Sequence, residues 1–364
     1  LIERGIDVLV AKHRQMGGGE VIVTLPAGNR NLAQGHASPR RKQRGDLATH
    51  MLNWHLPPAD PSMNAMEVWI RGDATVLADS VTLMVTPPGR EESLSPVSLQ
   101  TVDHAVDLRD LQDDGHPHSV LLKAGDDDLP IGRVTLRRDH VTGAIALHII
   151  LAPTDPRLTG RRPAPAGMWT VGIACKAAKA KDVVVQAWVL RDDFLPGFRG
   201  IRRQSILTDA LYQKRTPKGF PELEDHQDAT VRRAGTLNAI ASGLVAPGFA
   251  EQHARVTVGG LIGATGPRRE PTPAPYSGSP LSPDASWSEP EQIDCRAMCD
   301  RTVVRPGLPA AGTLSGSVGA LNGTSVAAPQ VLRALIEAGA TLETLSDLLA
   351  AFSARQAERT TNHL

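Results

Sequence analysis

The residues best suited to chemistry are Gly323-Thr324-Ser325, which stand directly before a helical pattern. A serine at a helix start, after a glycine turn, exposes its hydroxyl on a rigid element. Its own backbone N–H then points into a region that the helix dipole makes favourable for anions. That arrangement suits a nucleophile whose attack creates an oxyanion. The alternative is a serine that only caps the helix, and the tripeptide by itself favours the cap.

A second candidate group is the carboxamide of Asn29, which closes the segment 26–29, Pro-Ala-Gly-Asn. The preceding run, 20–25, is apolar and β-branched, which predicts a strand buried on both faces of a parallel sheet. Sites in open α/β sheets lie at the carboxyl ends of such strands. An amide N–H can hold an oxyanion because it donates a hydrogen bond without titrating. The alternative role for Asn29 is a turn residue in the left-handed region.

The longer string at 322–329, Asn-Gly-Thr-Ser-Val-Ala-Ala-Pro, resembles the nucleophile motif of the subtilisin-like serine peptidases, the subtilases. The Ala-Gly-Asn segment at 27–29 is similar to the one that supplies the oxyanion-hole asparagine of that family. The resemblance implies that Ser325 is the catalytic nucleophile and that Asn29 stabilises the oxyanion. It gives roles to four neighbours as well: Gly323 and Thr324 in the nucleophile loop, and Ala27 and Gly28 at the base of the substrate pocket.

The order of the segments between these two motifs also fits the family. Residues 255–260 predict a strand that runs into glycines, 276–278 a substrate-side loop, and 306–307 the Pro-Gly turn before the nucleophile. Gln330 stands where the family usually has a histidine that is not part of the catalytic triad. The resemblance therefore implies a serine endopeptidase that hydrolyses protein or peptide substrates through an acyl-enzyme on Ser325.

The family takes a catalytic aspartate from an Asp-Thr/Ser-Gly motif and a histidine from a His-Gly-Thr motif, and both precede the oxyanion asparagine. None of the 12 histidines here is followed by glycine, and neither aspartate motif occurs. Asp7 falls inside a predicted helix and is a poor substitute. His36 follows the Asn29 loop but lacks motif context, so we expect it in a loop or at the surface.

A serine without its base is a weak nucleophile, so the missing groups need an explanation. Either sequence before Leu1 supplies the base and its orienter, or the chain is a degenerate, non-catalytic form. We expect the first, in which the chain is the C-terminal part of a longer protein. On that expectation residues 1–364 by themselves are inactive and poorly soluble, because removing the first strands of a sheet exposes an edge and apolar faces.

Between the two motifs, short alternating runs separated by turns predict an antiparallel sandwich or jelly roll. The runs lie at 66–70, 81–86, 119–123, 132–137, 144–152, 168–173 and 182–190. Trp69, Trp169 and Trp188 stand within or beside them, and we expect core anchors there, with ligand stacking as the alternative. The segment resembles the jelly-roll insert of the Csp-type bacterial subtilases.

The resemblance as a whole implies an α/β fold: a subtilisin-like parallel sheet flanked by helices, incomplete at its N-terminus and interrupted by an all-β insert. The expected domains are a first catalytic segment, 1–45, the insert, 46–195, and a second catalytic segment, 196–364. Helical periodicity predicts three helices: from residue 2 to the glycines at 17–19, at 326–336, and at 342–352.

Composition excludes several classes of protein. The chain of 364 residues has 39 basic and 39 acidic side chains and no formal net charge, which argues against a general nucleic-acid binder. Its apolar runs are too short to span a bilayer. The basic run 40–44 is expected as a solvated connector, and the Pro- and Ser-rich run 267–290 as a loop. No cofactor or metal is implied, and the oligomeric state and compartment stay open.

The three cysteines, Cys175, Cys295 and Cys299, are too few and odd in number for a disulfide scaffold. Cys295 and Cys299 are four residues apart. That spacing leaves open a local disulfide, half of a metal site, or two thiols with neither role. No second Cys/His pair completes a zinc spacing.

A function of another class also stays open. The sandwich could bind protein or carbohydrate while the subtilase-like part serves as a scaffold without activity. The α/β-hydrolase esterases are disfavoured, because no Gly-x-Ser-x-Gly elbow occurs.

Overall fold

The computed structural model divides the chain into two compact units. We call Leu1–Ala33 with Arg233–Leu364 the discontinuous unit, and Gln34–Arg232 the central unit. The structure describes residues 2–72, 82–89, 106–107, 118–123, 130–138, 144–158, 162–176, 183–190, 203–212, 228–233, 235–236, 254–263, 271–279 and 293–359.

Within these residues the chain forms three helices and eighteen strands. The helices are α1 (Ile2–Gln15), α2 (Thr324–Glu337) and α3 (Leu345–Arg359). The strands are β1 (Ile22–Pro26), β2 (His36–Ala37), β3 (Arg41–Arg44), β4 (Leu47–Leu56), β5 (Asn64–Arg71), β6 (Thr82–Thr86), β7 (Val106–Asp107), β8 (His118–Lys123), β9 (Pro130–Arg138), β10 (Ile145–Leu151), β11 (Gly167–Lys176), β12 (Val184–Val189), β13 (Ile206–Leu207), β14 (Ala254–Ile262), β15 (Thr272–Pro273), β16 (Cys295–Asp300), β17 (Leu308–Ala311) and β18 (Val318–Leu321).

The central unit consists of two antiparallel sheets of six strands. One has the order β2-β12-β5-β10-β9-β8, and the other the order β13-β4-β11-β6-β7, with β3 paired to β4. Burial alternates along β4 and β5, as expected where one face of each sheet packs inward. The buried side chains of both sheets belong to one hydrophobic core. The strand pairing confirms the predicted short antiparallel strands.

Two tryptophans anchor this core. Trp54 on β4 and Trp169 on β11 stand directly opposite each other across the strand pair, and both are fully buried. Trp169 is therefore a core anchor as predicted, whereas Trp69 and Trp188 are only half-buried. Trp54 was not predicted as an anchor, although the alternation of apolar and polar residues at 52–56 is a signal that points its face inward.

The discontinuous unit is built on a sheet of four strands. β14 pairs in parallel with β1 on one side and with β16 on the other, and β15 joins the end of β14 antiparallel. Helix α2 buries an apolar face on these strands and α3 extends the same core. The buried α2 residues recur at helical spacing: Thr324, Ala327, Ala328, Val331 and Leu335. The predicted helices at both ends of the chain are thus confirmed.

The predicted α/β class is wrong. The described chain is mostly strand with three helices, and most of its sheet pairings are antiparallel. Parallel pairing is confined to β1, β14 and β16. The class was taken from the motif-bearing segments, whereas residues 34–232 form antiparallel sheets. The expectation that the first strand is buried on both faces also fails, because β1 has one described neighbour and all five of its residues are half-buried.

The cysteines are buried free thiols. Cys295 and Cys299 both lie on β16, and four residues of extended strand separate their Cα atoms by about 13 Å. A disulfide needs Cα atoms within about 7 Å, so the local disulfide is excluded. Among the described residues no cluster of three or more His, Cys, Asp or Glu side chains suits a metal ion. Burial raises the pKa of Cys295 to about 12, so it stays a thiol.

Residues 40–43 of the basic run are exposed as expected, but 41–44 form strand β3, which pairs with β4, instead of a connector. Of the predicted loop 267–290, residues 271–279 are described and the rest lies outside the described ranges. Within those ranges, no helix combines the length and apolar character that a membrane crossing requires.

His50 makes the stability of the central unit sensitive to acid. Its ring is buried on β4 with Nδ1 3.0 Å from the Pro39 carbonyl oxygen. Burial, helped by the charge of Arg41, lowers the pKa of His50 against the opposing effect of the Pro39 carbonyl. A lowered folded-state pKa favours the neutral ring, so this stability is present above about pH 6.5 and is lost as pH falls toward the folded-state pKa.

We therefore expect His50→Gln to reduce the loss of unfolding free energy between pH 7.5 and pH 5.5, measured by urea titration with tryptophan fluorescence. His55→Gln is the matched control, because His55 lies on the opposite face of the same strand. An equal loss in wild type and His50→Gln would contradict the assignment.

Candidate functional site

The loop after β1 is held by backbone hydrogen bonds to its neighbours in the sheet. The Ala27 N–H donates to the Val258 carbonyl at 2.9 Å and continues the pairing of β1 with β14. Gly28 then turns the chain with φ 98°, a conformation that favours glycine. Its carbonyl accepts from the Gly278 N–H at 2.8 Å. The turn brings Asn29 out of the sheet edge and leaves its side chain exposed.

Asn31 secures the same loop from the other side. Its N–H donates to the Tyr276 carbonyl at 3.1 Å, and its Nδ2 donates to the Pro275 carbonyl at 2.9 Å. Its Oδ1 accepts from the hydroxyls of Thr236 at 3.0 Å and Ser279 at 3.2 Å. Asn31 is buried, so these bonds set the position of the Asn29 turn.

The start of α2 meets this turn through Thr324, which is fully buried. The Thr324 hydroxyl accepts from the Gly28 N–H at 3.0 Å and donates to Asn29 Oδ1 at 3.1 Å. The Thr324 N–H donates to the same Oδ1 at 2.9 Å. Asn29 therefore caps α2 from a distant part of the chain, a task that a local side chain usually performs.

These bonds also decide which way the Asn29 carboxamide points. Because Oδ1 accepts twice from Thr324, the amide group Nδ2 is the end that remains to donate elsewhere. A Cβ added at Gly323 would lie 2.7 Å from this Nδ2, and Gly323 has φ 101°. Only glycine allows the amide so close to the turn before the helix.

Ser325 is the second residue of α2 and is exposed. The first N–H groups of a helix have no partner within it. Here the Thr324 N–H donates to Asn29 Oδ1, and the Val326 N–H donates to the Gly323 carbonyl at 2.9 Å. No described residue accepts from the Ser325 N–H. This end of the helix thus combines an exposed hydroxyl, a spare backbone donor and the neighbouring Asn29 amide, which is the donor set that an oxyanion requires.

The structure places the other candidates differently. Ala27 is buried and Gly28 half-buried beside the turn. Gln330 lies one turn further along α2, where its Nε2 donates to the carbonyls of Met298 at 2.7 Å and Val326 at 2.8 Å. That side chain fastens α2 to β16.

No base meets Ser325 among the described residues. His13, the described histidine of the discontinuous unit, lies in the last turn of α1 with its ring packed on Gly18. Asp7 also lies on α1. The expectation that His36 lies in a loop or at the surface is wrong: it is buried on β2, with Nε2 2.6 Å from Gln186 Oε1 and its ring stacked on Trp188. The two-residue strand β2 was too short to recognise in the sequence.

Four further residues support the site: Asn31, Tyr276, Cys299 and Asp300. Asn31 bonds to Pro275, 244 positions away, and Tyr276 bonds to Cys299 and Asp300 on β16. The sequence placed Tyr276 in a substrate-side loop and marked Cys299 as a thiol of open role, but only the assembled sheet shows that these residues contact one another.

Comparisons with known proteins leave the family open. No family model matches the chain, and no curated protein matches it in sequence. Among solved structures, the chain is similar to the Clostridium perfringens CspB protease, with 13% identity and a TM-score of 0.48. The match covers 91% of this chain and 49% of that one, so the chain spans about half the length of that protease. A likeness of this degree carries no argument about activity, which has to come from the site itself.

The contacts of Thr324 lead to a test of the site's stability. Thr324→Val keeps the shape of the side chain but leaves the half-buried Gly28 N–H without its acceptor, which should cost about 1 kcal/mol of unfolding free energy. Thr324→Ser keeps the hydroxyl and should lose less, as urea titration would measure. Equal losses in the two variants would mean that the hydroxyl contributes nothing.

Proposed function

We propose that this chain carries the nucleophile and the oxyanion donors of a serine endopeptidase, which hydrolyses peptide bonds through an acyl-enzyme on Ser325. One observation carries the proposal. Thr324 holds Asn29 Oδ1 at 2.9 and 3.1 Å, which leaves the Asn29 amide free to donate beside the exposed Ser325. Roles for both residues come from the motif resemblance, and this contact supports them.

In the proposed reaction, Ser325 Oγ attacks the carbonyl carbon of the scissile peptide, and its proton passes to a base. The carbonyl oxygen takes the negative charge, and Asn29 Nδ2 and the Ser325 N–H donate to it at the positive end of α2. Collapse of this intermediate breaks the C–N bond, and the leaving amine takes the proton from the base. Water then repeats the sequence on the ester and restores the Ser325 hydroxyl.

The base and its acidic orienter lie outside the described part of the chain in this proposal. In the subtilases the base and its orienter both precede the oxyanion asparagine in sequence. That order agrees with the finding that no described residue serves as a base next to Ser325. The substrate is a protein or peptide. The motif resemblance gives Ala27 and Gly28 a role at the base of the substrate pocket, where such small residues would suit a large side chain of that substrate.

Reaction with a fluorophosphonate tests the nucleophile directly. In the native protein we expect one adduct, located on Ser325 by peptide mass spectrometry, and no adduct in Ser325→Ala. Ser346→Ala is the matched control, because Ser346 is an exposed serine at the second position of α3. Labelling of wild type and Ser325→Ala to the same extent would overturn the proposal, and the scaffold function without activity would then be favoured.

The oxyanion role of Asn29 predicts a change in rate. Asn29→Ala should slow the acylation of Ser325 by ~10²–10³, a magnitude that comes from a subtilase and is assumed to transfer. Asn322→Ala is the control, since Asn322 is an exposed amide next to Gly323. Stopped-flow or time-resolved labelling would measure both rates. Equal rates in the two variants would remove Asn29 from the oxyanion site.

A further inference from the structure

A partly buried polar cluster lies next to the loop of the candidate site. We call its members, Tyr276, Cys299 and Asp300, the clasp. The Tyr276 hydroxyl donates to Asp300 Oδ2 and lies 3.0 Å from Cys299 Sγ. The Cys299 thiol lies 3.2 Å from the Leu261 carbonyl oxygen, to which it donates. Cys299 and Asp300 are the last two residues of β16, and both are buried.

One side of the clasp holds the loop of Asn29. The backbone carbonyls of Pro275 and Tyr276 accept both donors of Asn31, its Nδ2 at 2.9 Å and its N–H at 3.1 Å. The backbone around Tyr276 is thereby tied to the turn that contains Asn29. The Tyr276 side chain and the two carbonyls that position this turn thus belong to the same short segment, 275–276.

The other side of the clasp reaches the nucleophile turn. Asp300 Oδ1 accepts from the Gly307 N–H at 2.6 Å. Leu308, the next residue, begins β17 and pairs there with Leu321, two residues before Gly323. The clasp thereby fastens the hairpin that leads into the turn at the start of α2. Burial raises the pKa of Cys299 to about 11.

We propose that Tyr276, Cys299 and Asp300 are positioning residues that hold the Asn29 turn and the Gly323 turn in register. The inference rests on the proposed function for its catalytic meaning, but the contacts that join the clasp to the two turns do not depend on that function. A carboxylate, a phenol and a thiol are costly to bury unless their hydrogen bonds are made. Apolar side chains would fill this space at lower cost, whereas directional bonds define one arrangement of the two turns.

The protonation states of the clasp suit this role. Burial first, and then the hydrogen bonds to Asp300 and Cys299, raise the pKa of Tyr276 far above its usual value. Tyr276 and Cys299 therefore keep their protons throughout the neutral range. Both therefore remain available as hydrogen-bond donors in that range.

The chain contains matched variants for a test. Tyr276→Phe removes only the hydroxyl, and Tyr212→Phe does the same in the central unit, at the other tyrosine of the sequence. Cys299→Ala removes the sulfur, Cys299→Ser keeps a hydrogen-bonding group, and Cys295→Ala is the control on the same strand. Cys299→Ser separates the loss of the hydrogen bond from the effect of the cavity that Cys299→Ala leaves in the core.

Amide hydrogen exchange of the intact chain, measured by mass spectrometry, tests the link between the clasp and the two turns. The measurement does not require peptidase activity. We expect Tyr276→Phe and Cys299→Ala to raise exchange in peptides covering 27–33 and 320–327 by about five- to tenfold, the effect of losing one buried hydrogen bond. Peptides from the first half of β14, residues 254–258, should not change, because the clasp contacts only the second half of that strand. Cys299→Ser should return most of the protection, and Tyr212→Phe and Cys295→Ala should leave both peptides as in wild type.

Two results would overturn the inference. One is unchanged exchange in both peptides, and the other is a uniform rise across the discontinuous unit, which a merely structural role would produce. The rate of fluorophosphonate labelling at Ser325 separates this inference from the proposed function. If wild type is not labelled, the proposed function fails, while a local rise in exchange would still support the clasp. If wild type is labelled and Tyr276→Phe is labelled equally fast, the positioning role is overturned.

Discussion

Thr324 is buried where two segments 295 residues apart in sequence meet, and its amide and hydroxyl both reach Asn29 Oδ1. Those two bonds cap α2 and orient the Asn29 carboxamide, and in a third bond the same hydroxyl accepts from the Gly28 N–H. A hydrogen-bonding group that is removed from water and left without a partner lowers the free energy of unfolding. The Thr324 N–H, the Thr324 hydroxyl and the Gly28 N–H must therefore all find their partners in the same arrangement. The chemistry available at Ser325 depends on this contact more than on any property of Ser325 itself.

The sheet makes the contact possible. Parallel pairing of β1 with β14 aligns the end of β1 with the middle of β14, where Pro26 stands opposite Val258. β16 pairs with the following residues of β14, so its end lies near the start of α2. The clasp then joins the loops that leave these strands. Rigid strands thus carry the loops to within hydrogen-bonding distance, and directional polar groups complete the alignment.

Local patterns predicted the elements better than their arrangement. The strands of the central unit and the helices α2 and α3 follow from periodicity, because each reflects which face of a short segment meets the core. The α/β class failed because it was taken from two motif segments, although antiparallel pairing dominates the rest of the chain. The prediction that His36 lies in a loop or at the surface failed for a related reason. Strand β2 contains only two residues, and its pairing with β12 places the His36 ring in the interior.

The sequence by itself determined which residue types are present at the candidate site and in what order: a serine after Gly-Thr at a helix start, and an asparagine after a strand and a glycine. Those features are local, since caps, turns and strand patterns depend on neighbouring residues. Only the tertiary structure decided that Asn29 Oδ1 faces Thr324, that Gly323 leaves space for the Asn29 amide, and that Tyr276, Cys299 and Asp300 lie behind both turns. These contacts join positions far apart in the chain, and their distances depend on strand pairing and packing, which no local pattern encodes.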